Sequence, residues 1–301
     1  MHRIAFIIGD RFLYWTPILI ALGAAAAICM FLALHMGRTG KLTASFVAVP
    51  VALVLSLLLG RLLHWLCAPQ QYGSFAQALG SFGIDGFALT GVVLGSALAA
   101  CFVRLLGLTK DLPSMLDAMS LAGLFGIAVG RLNHFFNTAD RGVAGQPIFR
   151  YQAVAAGVLF ALLLVFFFTL GRKRPGDTCL LAGLFYGALQ AVLDSLRQDA
   201  LTLPQLNGLH LTLVGGSLLV LASLGLILWK LIRIRGWKWW YFGFLIPIAG
   251  VLSFAEILLA SGQNIRHAAL LMGIFLMLSL ALYGLYLLGE KKMCGKSSAC
   301  E

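Results

Sequence analysis

The chain has 301 residues, 60% hydrophobic and only 11% charged, with a mean hydropathy of +0.94 and a formal net charge of +11. Soluble globular chains carry about 25% charged residues, so this much apolar surface cannot be hidden in one water-soluble domain; the fold class is an all-α polytopic membrane protein. Nucleic acid is excluded as a partner as well, because the Lys and Arg residues fall in short clusters between apolar runs, as in cytoplasmic loops facing anionic headgroups.

Nine segments approach the ~20 apolar residues that a bilayer core requires, at roughly 13–36, 44–67, 86–106, 114–136, 151–171, 178–196, 208–232, 239–261 and 267–289. All are expected to be helices, since only helices and closed barrels satisfy backbone polar groups in lipid. Continuous apolar runs, rather than strict alternation, exclude a barrel. The first run is long enough to span and lacks a small-residue cleavage site, so no cleaved signal peptide is expected.

Loop charges set the orientation. Arg38 and Lys41 follow the first span, whereas Pro69 to Gly83 contains no basic residue. Arg104 and Lys110 flank the third loop, Arg172, Lys173 and Arg174 the fifth, and Arg233, Arg235 and Lys238 the seventh, and the tail holds three lysines. The basic loops alternate, which predicts an outside N-terminus and a cytoplasmic C-terminus. Residues 1–235 then form a seven-span core, and residues 236–301 an appended transmembrane hairpin with a basic tail. Gly91-xxx-Gly95 and Gly183-xxx-Gly187 have the small-xxx-small spacing of close helix packing. Trp237, Trp239, Trp240 and Tyr241 read as an interfacial belt.

No Walker loop, dinucleotide fingerprint or HExxH is present, and two tail cysteines, Cys294 and Cys300, are too few for a structural zinc site. No cofactor and no metal is expected. Four polar groups stand out. The first is Gly130-Arg131-Leu132-Asn133-His134-Phe135-Phe136-Asn137-Thr138-Ala139-Asp140-Arg141, at the end of a run from Leu116 to Gly130 whose only polar side chains are Asp117 and Ser120. If the segment is helical, Arg131, His134 and Asn137 share a broad face. An ionisable group at a membrane boundary is a site hypothesis by default, although Arg131 would equally snorkel to headgroups. The second is the loop Arg172 to Asp177, whose main reading is topogenic. The third is Tyr186-Gly187 with Asp194 and Arg197, for which a simple i,i+3 ion pair between the last two is the bland reading. The fourth is Asp85, read as a helix N-cap or an exposed loop residue.

In this order, the motifs resemble the prolipoprotein diacylglyceryl transferase family, seven-span enzymes of the bacterial inner membrane. Its members move the diacylglyceryl group of phosphatidylglycerol onto the lipobox cysteine of a prolipoprotein. The family signature glycine-arginine-x-glycine-asparagine-phenylalanine-x-asparagine is met here at Gly130, Arg131, Phe135 and Asn137. Arg174-Pro175-Gly176 resembles its basic-proline-glycine motif, and Tyr186-Gly187 its tyrosine-glycine motif, with Asp194 and Arg197 where the family has glutamate and arginine. Gly60-Arg61-Leu62 resembles its motif near the second span. The resemblance runs from about Leu13 to Ile232 on the span assignment above.

It implies a multi-pass inner-membrane enzyme with phosphatidylglycerol and a prolipoprotein signal peptide as partners. The implied catalytic candidates are Arg131, His134, Asn137 and Asp140, and the substrate-binding candidates Tyr186, Gln190, Asp194, Arg197 and Arg141. Several positions depart from the pattern. The family histidine before the third span is missing from Gly86-Phe87-Ala88-Leu89-Thr90-Gly91, and the signature asparagine is His134. Ala139 replaces a glutamate, with Asp140 the nearest carboxylate, and only Gln152 survives from the motif opening the fifth span. Gln190 stands where the family has the second headgroup arginine. Two function classes follow: a transferase with a rearranged site, or a family member without catalysis that binds anionic lipid or lipoprotein signal peptides. A small-solute transporter is a third reading, supported only by the number of spans, since no inverted repeat is visible.

Overall fold

The computed structural model describes residues 4–8, 11–39, 42–72, 74–80, 87–132, 148–194, 201–203, 209–236, 241, 246, 248, 250 and 265–294. A short antiparallel hairpin comes first, β1 (Ile4–Ile8) paired with β2 (Arg11–Tyr14). The helices follow: α1 (Trp15–Thr39), α2 (Leu42–Cys67), the one-and-a-half-turn α3 (Phe75–Gly80), α4 (Leu89–Leu105), α5 (Leu112–Gly130), α6 (Ile148–Phe168), α7 (Asp177–Asp194), α8 (Leu211–Arg235) and α9 (Ile265–Cys294). A second small hairpin, β3 (Thr202–Leu203) with β4 (Leu209–His210), precedes α8.

Among the described residues, α1, α2, α5, α6, α8 and α9 are long and apolar enough to cross a membrane, and α4 and α7 are shorter apolar helices. Eight of the nine predicted spans coincide with helices. The other, 239–261, falls almost entirely outside the described residues. The hairpins amend the all-α expectation. The first predicted span began inside β2, whereas α1 starts at Trp15.

The chain divides into two compact units, one of residues 1–182 with 196–212 and one of residues 183–195 with 213–301. In the first unit α1 packs on α5, and α2 on α4. Both contacts are backbone to backbone. A Cβ on Gly91 would meet the Leu59 carbonyl oxygen at 2.4 Å, and one on Gly95 the Ser56 nitrogen at 2.5 Å. The small-xxx-small reading of these glycines therefore holds. Ser56 adds polar contacts at the same seam, donating from Oγ to the Val92 carbonyl at 3.0 Å and lying 3.2 Å from Ser96 Oγ. α6 joins α5 through Phe125 and Phe160, whose ring centroids are 4.9 Å apart.

Local chemistry explains where α4 ends and α5 begins. At the end of α4, Gly107 takes φ +72°, its N–H donates to the Arg104 carbonyl and the Leu108 N–H to that of Val103. This is a Schellman closure, which needs glycine in the left-handed region. Asp111 caps α5 by accepting from the Ser114 N–H at 3.2 Å, and Pro113 in the first turn sacrifices no helical bond. The N-cap of α4 is Ala88, with no side-chain acceptor; Asp85, expected there, lies outside the described residues. The Ala88 N–H instead donates to the Gly60 carbonyl, tying the start of α4 to α2.

In the second unit, the residues of α8 and α9 meet near their C-terminal ends. Lys230 Nζ lies 5.8 Å from the Tyr286 ring centroid, and a Cβ on Gly289 would touch Arg235.

Candidate functional site

Arg131 is the C-cap of α5, in the right-handed helical region, with its N–H donating to the carbonyls of Ile127 and Val129. The helix stops at Gly130 rather than running on to Phe136, as the sequence suggested, and Arg131 and Leu132 form a turn. The guanidinium is half-buried, with Cζ 5.6 Å from the ring centroid of Phe149 in the first turn of α6. An aromatic face beside a guanidinium attracts the planar cation. An arginine at this position differs from a lysine in offering a planar, bidentate donor set. Phe149 and Gln152 are both buried on α6.

A second cation occupies the same end of the first unit. α1 and α2 are joined by a two-residue link and α1 runs antiparallel to α5, so the C-terminal ends of α2 and α5 lie together. There Arg61 is 1% exposed, with Cζ 4.5 Å from the centroid of Phe87. Its Nη1 is 3.5 Å from the Tyr72 hydroxyl, which is 3.4 Å from His64 Nδ1. A guanidinium this deep is tolerable only with such partners. It binds the segment after α2 to that helix.

The opposite end carries a polar centre that sequence reasoning passed over. Asp117, in the second turn of α5, is fully buried. Its Oδ2 accepts from Arg38 Nη1 at 3.2 Å and from the Gly176 N–H at 2.7 Å, and its Oδ1 from the Cys179 N–H at 2.8 Å. Arg38 Nη2 also donates to the Gly171 carbonyl at 2.8 Å, and its Cζ lies 4.8 Å from the Phe167 ring centroid. The Arg172 to Gly176 loop, read as topogenic, is thus also built into the structure through its backbone. The available signal was Asp117 itself, a carboxylate within a run otherwise fit for lipid.

Of the candidates on α7, Tyr186 and Gln190 are buried and belong to the second unit. In that unit Gly187 meets Gly216 of α8 reciprocally. A Cβ on either would lie 2.6–2.7 Å from the other's carbonyl oxygen, while one on Gly183 would meet Ser223 Oγ at 2.4 Å. Asp194 is the last residue of α7. His134, Asn137, Asp140, Arg141 and Arg197 lie outside the described residues.

The comparisons with known proteins agree with one another. Residues 3–229 match the family profile described as prolipoprotein diacylglyceryl transferase. Three curated relatives carry the name phosphatidylglycerol–prolipoprotein diacylglyceryl transferase. The protein from Finegoldia magna is 26% identical over 221 residues, 67% of this chain and 86% of its own. That from Gloeobacter violaceus is 31% identical over 165 residues, 47% of this chain and 60% of its own. That from Acaryochloris marina is 25% identical over 228 residues, 67% of this chain and 82% of its own. With three quarters of its length inside the profile, the chain belongs to the prolipoprotein diacylglyceryl transferase family.

Proposed function

We propose that the protein transfers the diacylglyceryl group of phosphatidylglycerol to the lipobox cysteine of prolipoproteins at the outer face of a bacterial inner membrane. The family match carries this reading, and Arg131 in its retained signature, backed by Phe149, is the structural feature that supports it most directly. In the reaction a cysteine thiolate attacks the glycerol carbon that bears the phosphate ester. A carbon–sulfur bond forms, the carbon–oxygen bond breaks, and glycerol phosphate leaves with the electron pair. The thiol proton passes to a base, the role we assign to His134. Arg131 meets the charge that grows on the departing phosphate, with Arg141 or Arg197 completing the clamp. Asn137 and Asp140 orient it, and Tyr186, Gln190 and Asp194 contact substrate.

The positive-inside rule supports a cytoplasmic side for Arg38, Arg104, Lys110 and Arg172 to Arg174, and with it an outer face for Arg131. Residues 1–235 form the transferase domain of seven spans, and residues 236–301 an appended part beyond the family match, which stops at 229. One observation favours the second reading, a member that binds anionic lipid without turnover: position 190, where the family resemblance expects arginine, holds a buried neutral glutamine. Purified protein with labelled phosphatidylglycerol and a lipobox peptide separates the two. Peptide lipidation with stoichiometric glycerol phosphate establishes transfer; lipid binding with neither product establishes the binding reading.

A further inference from the structure

We infer that Asp117 is a positioning residue of the transferase, acting as the N-cap of α7 from a distance of 59 residues in the chain. The first turns of a helix expose N–H groups that need acceptors. Normally a Ser, Thr, Asp or Asn at the N-cap supplies one. At α7 the first helical hydrogen bond runs from the Leu180 N–H to the Gly176 carbonyl, which makes Gly176 the N-cap. Gly176 has φ +92°, a conformation that favours glycine, and so has no side chain to offer. The vacant role is filled by α5: one carboxylate accepts from Gly176 at 2.7 Å and from Cys179, three residues into α7, at 2.8 Å. Its negative charge also sits at the positive end of the α7 dipole. Arg38 completes the centre by tying α1 to the same carboxylate and to the Gly171 carbonyl.

Two bonds from one rigid carboxylate to two N–H groups fix both the height and the rotation of the first turn. Tyr186 and Gln190 follow Cys179 on the same helix by about two and three turns, so their phase along α7 follows from its first turn. This kinetic consequence rests on the proposed transfer reaction; the cap itself does not.

The test uses the full chain in phosphatidylglycerol nanodiscs, with Cys179 as the sole cysteine, and begins with amide hydrogen exchange on the otherwise unaltered protein. The Gly176 and Cys179 amides are expected to exchange at least about tenfold more slowly than those of Arg172 and Lys173; equal rates overturn the cap. Asp117→Leu, which keeps the size of the side chain and removes both acceptors, is then compared with Arg38→Gln and with the swap Arg38→Asp/Asp117→Arg. Asp117→Leu should raise maleimide labelling of Cys179 about tenfold, and KM for phosphatidylglycerol should rise with kcat held. Arg38→Gln should change both less, because the cap survives it. The swap should behave like Asp117→Leu, because it restores an ion pair but no acceptor for α7.

A swap that restores parental labelling and KM overturns the proposal in favour of the ion pair. So does an Asp117→Leu protein with lower kcat and unchanged KM, the mark of a smaller folded fraction. If Asp117→Leu does not accumulate, the exchange measurement decides. Absence of lipid transfer by the parent would sink the transferase reading and leave exchange and labelling to judge the cap.

Discussion

Gly23 of α1 and Gly126 of α5 touch through their backbones. A Cβ on Gly23 would lie 2.7 Å from the Gly126 carbonyl oxygen, and one on Gly126 would lie 3.0 Å from that of Gly23 and 2.8 Å from the Ala27 Cβ. In lipid, where no hydrophobic force drives helices together, such close approach is a main source of association. Gly126→Val is expected to cost about 1–3 kcal/mol, read as a lower thermal transition in detergent. Gly123, three residues away, has nothing within 4 Å of a built Cβ. Gly123→Ala is therefore the matched control and should leave the transition unchanged or raise it.

Arg131 separates the planar guanidinium from simple positive charge. Arg131→Lys keeps the cation and loses the bidentate donor set and the stacking on Phe149. We expect Arg131→Ala to lower kcat about 10²–10³-fold, in the range of a lost oxyanion donor. Arg131→Lys should recover only a minor part of the loss. Full activity in the lysine protein would show that charge alone suffices.

His134 is the proposed base. Removing a general base lowers turnover by about 10²-fold or more, and His134→Ala should show that loss in kcat. A variant that transfers lipid as fast as the parent would remove His134 from the chemistry.

The cap on α5 predicts an effect on stability alone. Asp111 is exposed and accepts only a local N–H bond among its described contacts. Asp111→Ala should cost about 1 kcal/mol, seen in thermal unfolding, with KM for phosphatidylglycerol unaltered.

The orientation can be tested at two exposed residues, Lys110 and Lys173. In a cysteine-free background, Lys110→Cys and Lys173→Cys should react with an impermeant maleimide in inverted vesicles and stay protected in intact cells. Labelling of either from outside would reverse the assignment of Arg131 to the outer face.

The helices were legible because hydrophobic length is a local property. α2 at Leu42–Cys67 lies within two residues of its predicted span, and α6 at Ile148–Phe168 within three. What escaped was of two kinds. Gly9-Asp10 between Ile4–Ile8 and Arg11–Tyr14 is a hairpin signal, but the adjoining apolar run reads just as well as the approach to a span. At the Asp117 centre the carboxylate within an apolar run is a local signal, but its partners are not, since Arg38 and Gly176 reach it only by packing. The end of α5 at Gly130 was hidden for a related reason: apolar residues continue past it at Leu132, Phe135 and Phe136.

The length of α4 bears on the membrane itself. Seventeen residues from Leu89 to Leu105 rise about 25 Å, against a hydrocarbon core of about 30 Å. Leu94, Leu98, Phe102 and Leu105 are exposed along this helix, so lipid tails meet a short apolar wall there. A bilayer meets such a mismatch by thinning at a modest cost per ångström. Where α4 crosses the bilayer, phospholipid headgroups beside it would lie closer to the midplane than beside the 26-residue α2. The enzyme would deform the membrane from which it draws its substrate, and its activity should depend on acyl-chain length.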